Sequence, residues 1–457
     1  MDIERLGPED LMMLWPDHIW PQDIGVVGLL DGVDLFDEGG GFRIEAIRGA
    51  VAARVDLVPR FRQLLCVPPR AELGGPCWVD DPAFDVRNHV NVSALRDGAG
   101  EADLLAAVEG LRSVPLERGR PLWELWLLPG LPDRRVGMFA RTHHTVADGM
   151  AGVATLAALL EPAPGAPPKH PGEWTPAPPP TEEELVTDAR ERARARRLRR
   201  LSALRHPVRS LGAVAFGVPA IREILAEQPV PPTSLTRLVG SGRRLAIVRT
   251  TLDDAKAVAH EHHAKVNDVL LAVVAGTLRR LFASRCEPVP DVVRAYVPVS
   301  LRHGQDATTT GNRISQMMVP LPAAVADPSA RLELVARETA RRKAMARPAL
   351  DALPTHGLPG RVALKLIDRQ HVNVTTADLP GPALPMYLAG APLLELIPVI
   401  PLIGKVSLGV GAISYAGQFN IGVIADRDAH PDLEVLVSAM NEELRALGLS
   451  TRLAEVA

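Results

Sequence analysis

Nine prolines fall between residues 162 and 180, in the run PAPGAPPKHPGEWTPAPPP. Proline lacks a backbone N–H and holds φ fixed, so a run this dense builds neither a helix interior nor a central strand. It is a stiff, extended linker. A chain of 457 residues interrupted in this way has to bury its cores on either side. On the N-terminal side EAIRGAVAARVDLV has helix spacing, and GMAGVATLAALL reads as a buried helix. LWELWLLPG, LPDRR and VGMFARTH read as strand, turn and strand. On the other side RLAIVRTTL, VRAYVPVS and RISQMMVPLP are strand-like. DDAKAVAHEHH, VNDVLLAVVAGTLRRLFA and PDLEVLVSAMNEELRAL are helical, with Asn267 as the expected N-cap of the second. SLGVGAISYAGQFNIGVIAD predicts a hairpin turning near Ala416 to Gln418. The alternation predicts α/β structure in two domains, 1–161 and 235–457, joined by a proline-rich linker and helix over 162–234.

The charge balance narrows the partners. The 51 basic and 54 acidic residues leave a net charge of −3, which argues against nucleic acid. Cys66, Cys77 and Cys286 are odd in number and unclustered, so neither a disulfide framework nor a metal site is expected. The opening MDIERLGPEDL carries acids where a signal peptide is basic and then apolar. The stretch APLLELIPVIPLIGKVSLGV contains Glu395, Lys405 and three prolines, unlike a spanning helix of about 20 apolar residues. The chain therefore reads as cytoplasmic. After the linker, TEEELVTDARERARARRLRRLSALRHPVR has the acid-to-base gradient of a helix. Nine arginines lie between Arg190 and Arg209. They suit either a solvated helix bridging two domains or a surface meeting anionic lipid headgroups.

Residues 141 to 152 read RTHHTVADGMAG, at the junction of a predicted strand and a predicted helix. A loop at such a junction presents side chains into a cleft. The chain holds no G-x-S-x-G elbow, no Walker loop and no complete dinucleotide fingerprint. An imidazole takes a proton from a hydroxyl at neutral pH, and an already activated carbonyl such as a thioester needs no covalent nucleophile. His143 and His144 supply the imidazoles. Asp148 either orients the base or locks the loop by pairing with an arginine, and Gly149 permits a close backbone approach.

HHTVADG matches the HHxxxDG signature of the acyltransferase superfamily that includes chloramphenicol acetyltransferase, carnitine acyltransferases and condensation domains of peptide synthetases. PLERGRPLWELWLLPGL, VNDVLLAVVAGTLRR, VPVSLR with GNRISQMMVPLP, LPGPALPMYLAGAP and SYAGQFNIGVIADRDAHPD follow in order. Together they resemble bacterial wax ester synthase/diacylglycerol acyltransferases over nearly the whole chain. The resemblance implies two chloramphenicol-acetyltransferase-like domains with the active site at their interface. It implies His144 as general base, acyl-CoA as donor substrate with no bound cofactor or metal, and an alcohol or diacylglycerol as acceptor. It also implies an arginine partner for Asp148, for which VPRFRQLL offers Arg62.

Three further residues are candidates for the substrate channel. Trp123 belongs to the PLW run, and a strand tryptophan is also ordinary core. Asn267 either caps its helix or lines the channel. Ser414 lies with Tyr415 on a strand whose inward side the sequence leaves open. The chain departs from the family at TADLPGP, where Asp378 stands in place of the usual asparagine. The expected activity is fatty acyl transfer from acyl-CoA to diacylglycerol or a long-chain alcohol, at a membrane or lipid-droplet surface. The altered segment keeps a second reading open: acylation of a specialised metabolite, with a carrier-protein thioester as donor. A catalytically idle lipid scaffold is a third, and the intact motif argues against it.

Overall fold

Runs of alternating and continuous apolar residues sort the described residues into two six-stranded sheets and a two-stranded ribbon. The computed structural model describes residues 3–147, 149–164, 174–205, 233–300, 314–344 and 372–452. The N-terminal half carries helices α1 (Pro8–Leu14), α2 (Ile44–Ala52), α3 (Glu101–Ser113), α4 (Gly149–Ala158) and α5 (Glu182–Arg205). Its strands are β1 (Asp23–Asp31), β2 (Gln63–Cys66), β3 (Cys77–Asp80), β4 (Val90–Val92), β5 (Trp123–Pro129) and β6 (Arg135–His143). The C-terminal half carries β7 (Arg243–Thr251), β8 (Val293–Ser300), β9 (Ile314–Leu321), β10 (Val374–Pro380), β11 (Tyr387–Leu388), β12 (Ala391–Val399), β13 (Leu408–Tyr415) and β14 (Gln418–Asp426). Its described helices are α6 (Leu252–Glu261), α7 (Val266–Ser284), α8 (Pro328–Ala344) and α9 (Leu433–Ala446).

The first sheet runs β11-β12-β1-β6-β5-β4, the second β7-β14-β13-β10-β8-β9. Two strands of the C-terminal half thus sit in the N-terminal sheet. β12 pairs antiparallel with β1, Val27 opposite Ile397, and β1 pairs with β6, Val27 opposite Phe139. These side chains share one face and form an apolar layer with Ala377 and Ile424 of the second sheet. The opposite face of the first sheet packs on α2 and α4, and that of the second on α6 to α9.

A buried ion pair crosses the layer. The Arg249 guanidinium of β7 donates to both carboxylate oxygens of Glu395 in β12, at 2.9–3.0 Å, and also bonds Glu101. Glu395, which interrupted the long apolar stretch, is therefore a strand residue with a dedicated counter-ion.

Two local expectations are corrected. The N-cap of α7 is Lys265, whose backbone N–H donates to the Asp268 carboxylate at 2.9 Å. Asn267 is one residue inside the helix and half-buried. The cysteines are not all apart, since Cys66 and Cys77 face each other across β2 and β3. Burial pushes the Cys77 thiol up to about 11, and the neighbouring Cys66 adds to the shift. Among the described residues, no helix is long and apolar enough to cross a membrane. α5 begins on Glu182, Glu183 and Glu184, buries Leu185, and exposes its side chains from Glu191 to Leu198.

Candidate active site

β6 delivers the histidine pair to the end of the first sheet. Its partner β5 sets Trp123 opposite Thr142, so the PLW run lies directly beside the motif strand. Trp123 is fully buried. Its ring stacks on Phe61 and His89 at 4.6 Å from each, and its indole N–H donates to the Phe61 carbonyl at 2.9 Å. The structure therefore places Trp123 in the core, where it fixes the strand that carries the histidines. Burial lowers the pKa of His89 within this stack.

The chain turns immediately after His143. The His143 N–H donates to the Leu122 carbonyl at 2.9 Å, and its own carbonyl accepts the Val146 N–H at 2.9 Å. The His143 ring is buried and held at Nδ1. Nδ1 accepts the Thr145 N–H at 3.1 Å and meets the Thr145 hydroxyl at 2.8 Å. Nε2 lies 3.0 Å from a carboxylate oxygen of Asp17. His143 is thus a fixed strut of the turn.

Asp17 is the residue that sequence reasoning missed. Its Oδ1 also accepts the Gln22 N–H at 2.7 Å, and the Gln22 carbonyl accepts the His144 N–H at 2.8 Å. One carboxylate therefore restrains the ring of His143 and, through Gln22, the backbone of His144. Burial pushes the Asp17 carboxyl up, but the bond and charge of His143, the Gln22 N–H and Arg118 outweigh it and hold the group at about 2. Below the turn, Asp23 lies 3.6 Å from both Arg112 and Arg141, and Arg141 donates to Glu124 at 2.8 Å and 3.1 Å.

His144 is half-buried, one residue past β6. Gly149 opens α4, and Asp148 lies outside the described residues. Arg62 bonds Asp56 at 2.6 Å and sits over the Trp174 ring at 4.3 Å. α4 packs closely on β1, since a Cβ at Gly152 would come within 2.7 Å of the Ile24 side chain.

An apolar pocket lies under α4, lined by Val26, Met138, Leu156, Pro382, Met386 and Tyr415 among others. The two residues left open on β13 have separate tasks. The Ser414 hydroxyl accepts the Gly381 N–H at 3.3 Å, and a Cβ at Gly381 would come within 2.3 Å of the Ser414 carbonyl oxygen. Tyr415 lines the pocket, with its hydroxyl accepting the Met386 N–H at 2.9 Å and donating to the Leu393 carbonyl at 2.8 Å. Asp378 is on β10, where burial pushes its carboxyl up to about 6 against the opposing pull of Lys343, with Asp268 adding to the rise. The arrangement offers an imidazole held by its backbone at a strand end.

Comparison with known proteins agrees with this geometry. Residues 6–270 match the wax ester synthase/diacylglycerol acyltransferase catalytic domain, and residues 310–448 match the C-terminal domain of the same family. The chain is 30% identical over 435 residues to a probable diacylglycerol O-acyltransferase, tgs1, of Mycobacterium tuberculosis, covering 89% of each chain. A second putative diacylglycerol O-acyltransferase of that organism is 30% identical over 476 residues, covering 99% of this chain and 98% of the relative. In fold it resembles the wax ester synthase/diacylglycerol acyltransferase of Marinobacter aquaeolei, with a TM-score of 0.66 at 22% identity over 97% of this chain and 98% of that one. The first condensation domain of the CDA synthetase follows, with a TM-score of 0.61 at 15% identity, covering 100% and 99%. With both family domains matched and relatives at 30% identity along nearly its full length, the chain belongs to the wax ester synthase/diacylglycerol acyltransferase family and is an O-acyltransferase of that type.

Proposed function

We propose that the protein transfers a fatty acyl group from acyl-CoA to diacylglycerol or a long-chain alcohol, with His144 as general base. The observation that carries this reading is the braced turn: His143 is tied at ring Nδ1 with its Nε2 close to Asp17, and His144 follows it at the strand-helix junction. In this reading His144 takes the proton from the acceptor hydroxyl. The oxygen attacks the thioester carbonyl, and a tetrahedral oxyanion forms. Its collapse breaks the C–S bond and expels the CoA thiolate, which takes the proton back from His144. Every atom is then accounted for without metal or bound cofactor, with CoA as a substrate.

Asp148 and Gly149 complete the motif in this proposal, with Arg62 as the candidate partner of Asp148 and Asn267 on the channel wall. A hydrocarbon acceptor calls for work at a cytoplasmic lipid surface, and the exposed arginines of α5 support such contact.

The half-buried carboxyl of Asp378, with its raised pKa, favours one alternative, a smaller polar acceptor. A single test separates the two. Products from one acyl-CoA offered to a panel of alcohols are read by mass spectrometry. Transfer to diacylglycerol or hexadecanol is expected, and His144→Ala should lower it by about 10²–10⁴-fold. Transfer to small polar alcohols alone would replace the lipid reading. A His144→Ala variant with full turnover would remove the base.

A further inference from the structure

Ile19, Leu238 and Ile403 come from three distant segments, and their large apolar side chains are 58%, 68% and 37% exposed. Two hydrogen bonds bring those segments together. The Trp20 indole N–H donates to the Val239 carbonyl at 3.1 Å, and the Val239 N–H donates to the Gly404 carbonyl at 2.9 Å. Each exposed residue is the chain neighbour of one member of this Trp20–Val239–Gly404 node. Three large apolar side chains left open to water beside one such node mark a contact surface.

The charges around the cluster select the occupant. Arg237 precedes Leu238, Lys405 follows Gly404, and both are exposed. Arg118 reaches the same place through its bond to Asp17, two residues before Ile19. Apolar side chains ringed by cations complement a layer of acyl chains beneath anionic headgroups. We propose that this patch seats the enzyme on an anionic lipid surface, with Ile19, Leu238 and Ile403 at the acyl boundary and Arg237, Lys405 and Arg118 at headgroup level. The proposal rests on the reading of the acceptor as a lipid. Its position gives it a purpose, because Asp17 bonds Arg118 on one side and His143 on the other. The patch therefore adjoins the turn that carries the base.

Contact through the arginines of α5 alone would vanish in high salt, whereas an inserted apolar patch would not. The test is sedimentation of the full chain with vesicles of phosphatidylcholine and phosphatidylglycerol at low and high salt. The variant combines Ile19→Ser, Leu238→Ser and Ile403→Ser, and a second carries glutamine at Arg190, Arg192, Arg194 and Arg196. The serine variant should bind at least about tenfold more weakly in high salt. It should also lose turnover of a lipid acceptor while keeping its melting temperature and turnover of a short soluble alcohol. The glutamine variant should keep the salt-resistant binding. Should the triple variant fail to fold, Leu238→Ser alone and quenching of Trp20 fluorescence by brominated phosphatidylcholine report on the same surface. Vesicle affinity unchanged by the serines would overturn the proposal. So would a change of oligomeric state without any vesicle binding, since the patch would then cover a second copy. Patch-dependent binding with no turnover of any alcohol would sink the acyl-transfer reading and leave the surface standing. Lipid turnover with patch-independent binding would do the reverse.

Discussion

Asp17 shows how much one carboxylate decides at the residue scale. It sets the ring of His143 directly and the backbone of His144 through Gln22. Asp17→Asn keeps the size and removes the charge. Turnover should fall about 10–100-fold with KM nearly unchanged, because a base displaced by a fraction of an ångström takes the acceptor proton less often while binding is untouched. The ¹⁵N NMR signature of the His143 tautomer should change with it, which a merely structural residue would not cause. Unchanged kcat with an unchanged His143 signature would retire the positioning role. The depressed pKa of Asp17 means that its stabilisation is present above pH about 4 and is lost as pH falls toward about 2. Asp378 works in the opposite sense. Its folded-state pKa is raised to about 6, so the unfolded chain releases this proton first as pH climbs from about 4. Stability therefore falls through that window and stays lower above about 6. Asp378→Asn removes the titration, and neutral-pH stability should rise by about 2 kcal/mol. Melting curves at pH 4 and pH 7 check this, with the gain confined to the higher pH. An equal effect at both would assign it to packing instead.

At the scale of elements, β12 matters most. It lies between β11 and β1 in the first sheet although it is encoded in the second half. Residues 1–161 therefore do not carry their own complete sheet. Produced alone, this fragment leaves the edge of β1 unpaired and its apolar layer uncovered, and it should aggregate or melt without a cooperative transition. A soluble fragment with a sharp melt would show that β12 is dispensable. Local patterning had revealed most elements, including β5, β6, α4 and the hairpin of β13 and β14, which turns through Ala416 and Gly417 at positive φ. Alternation along a strand states that it is a strand and which residues share a face. It does not state which sheet receives it. The N-cap of α7 escaped for a related reason. Asparagine is a good cap in general, but here Asp268 reaches back to the backbone of Lys265 and sets the start two residues earlier.

At the scale of the whole molecule, the two sheets share one apolar layer and the buried Arg249–Glu395 pair, so neither half is independent of the other. The histidine turn lies at the end of this layer. The family motifs and the strand-to-helix junction at His143 and His144 were legible from the chain alone. Each depends on residues that are neighbours in sequence, and local sterics and hydrogen bonding act at that range. The Asp17–His143 contact, the Cys66–Cys77 pairing, the core position of Trp123 and the Ile19–Leu238–Ile403 patch were decided only in three dimensions. The residues in each group lie far enough apart for loop closure to bring any of several partners together. Which partners meet depends on how the sheets pair and stack, and that follows from burying the largest apolar area across the whole chain rather than from any short run of residues.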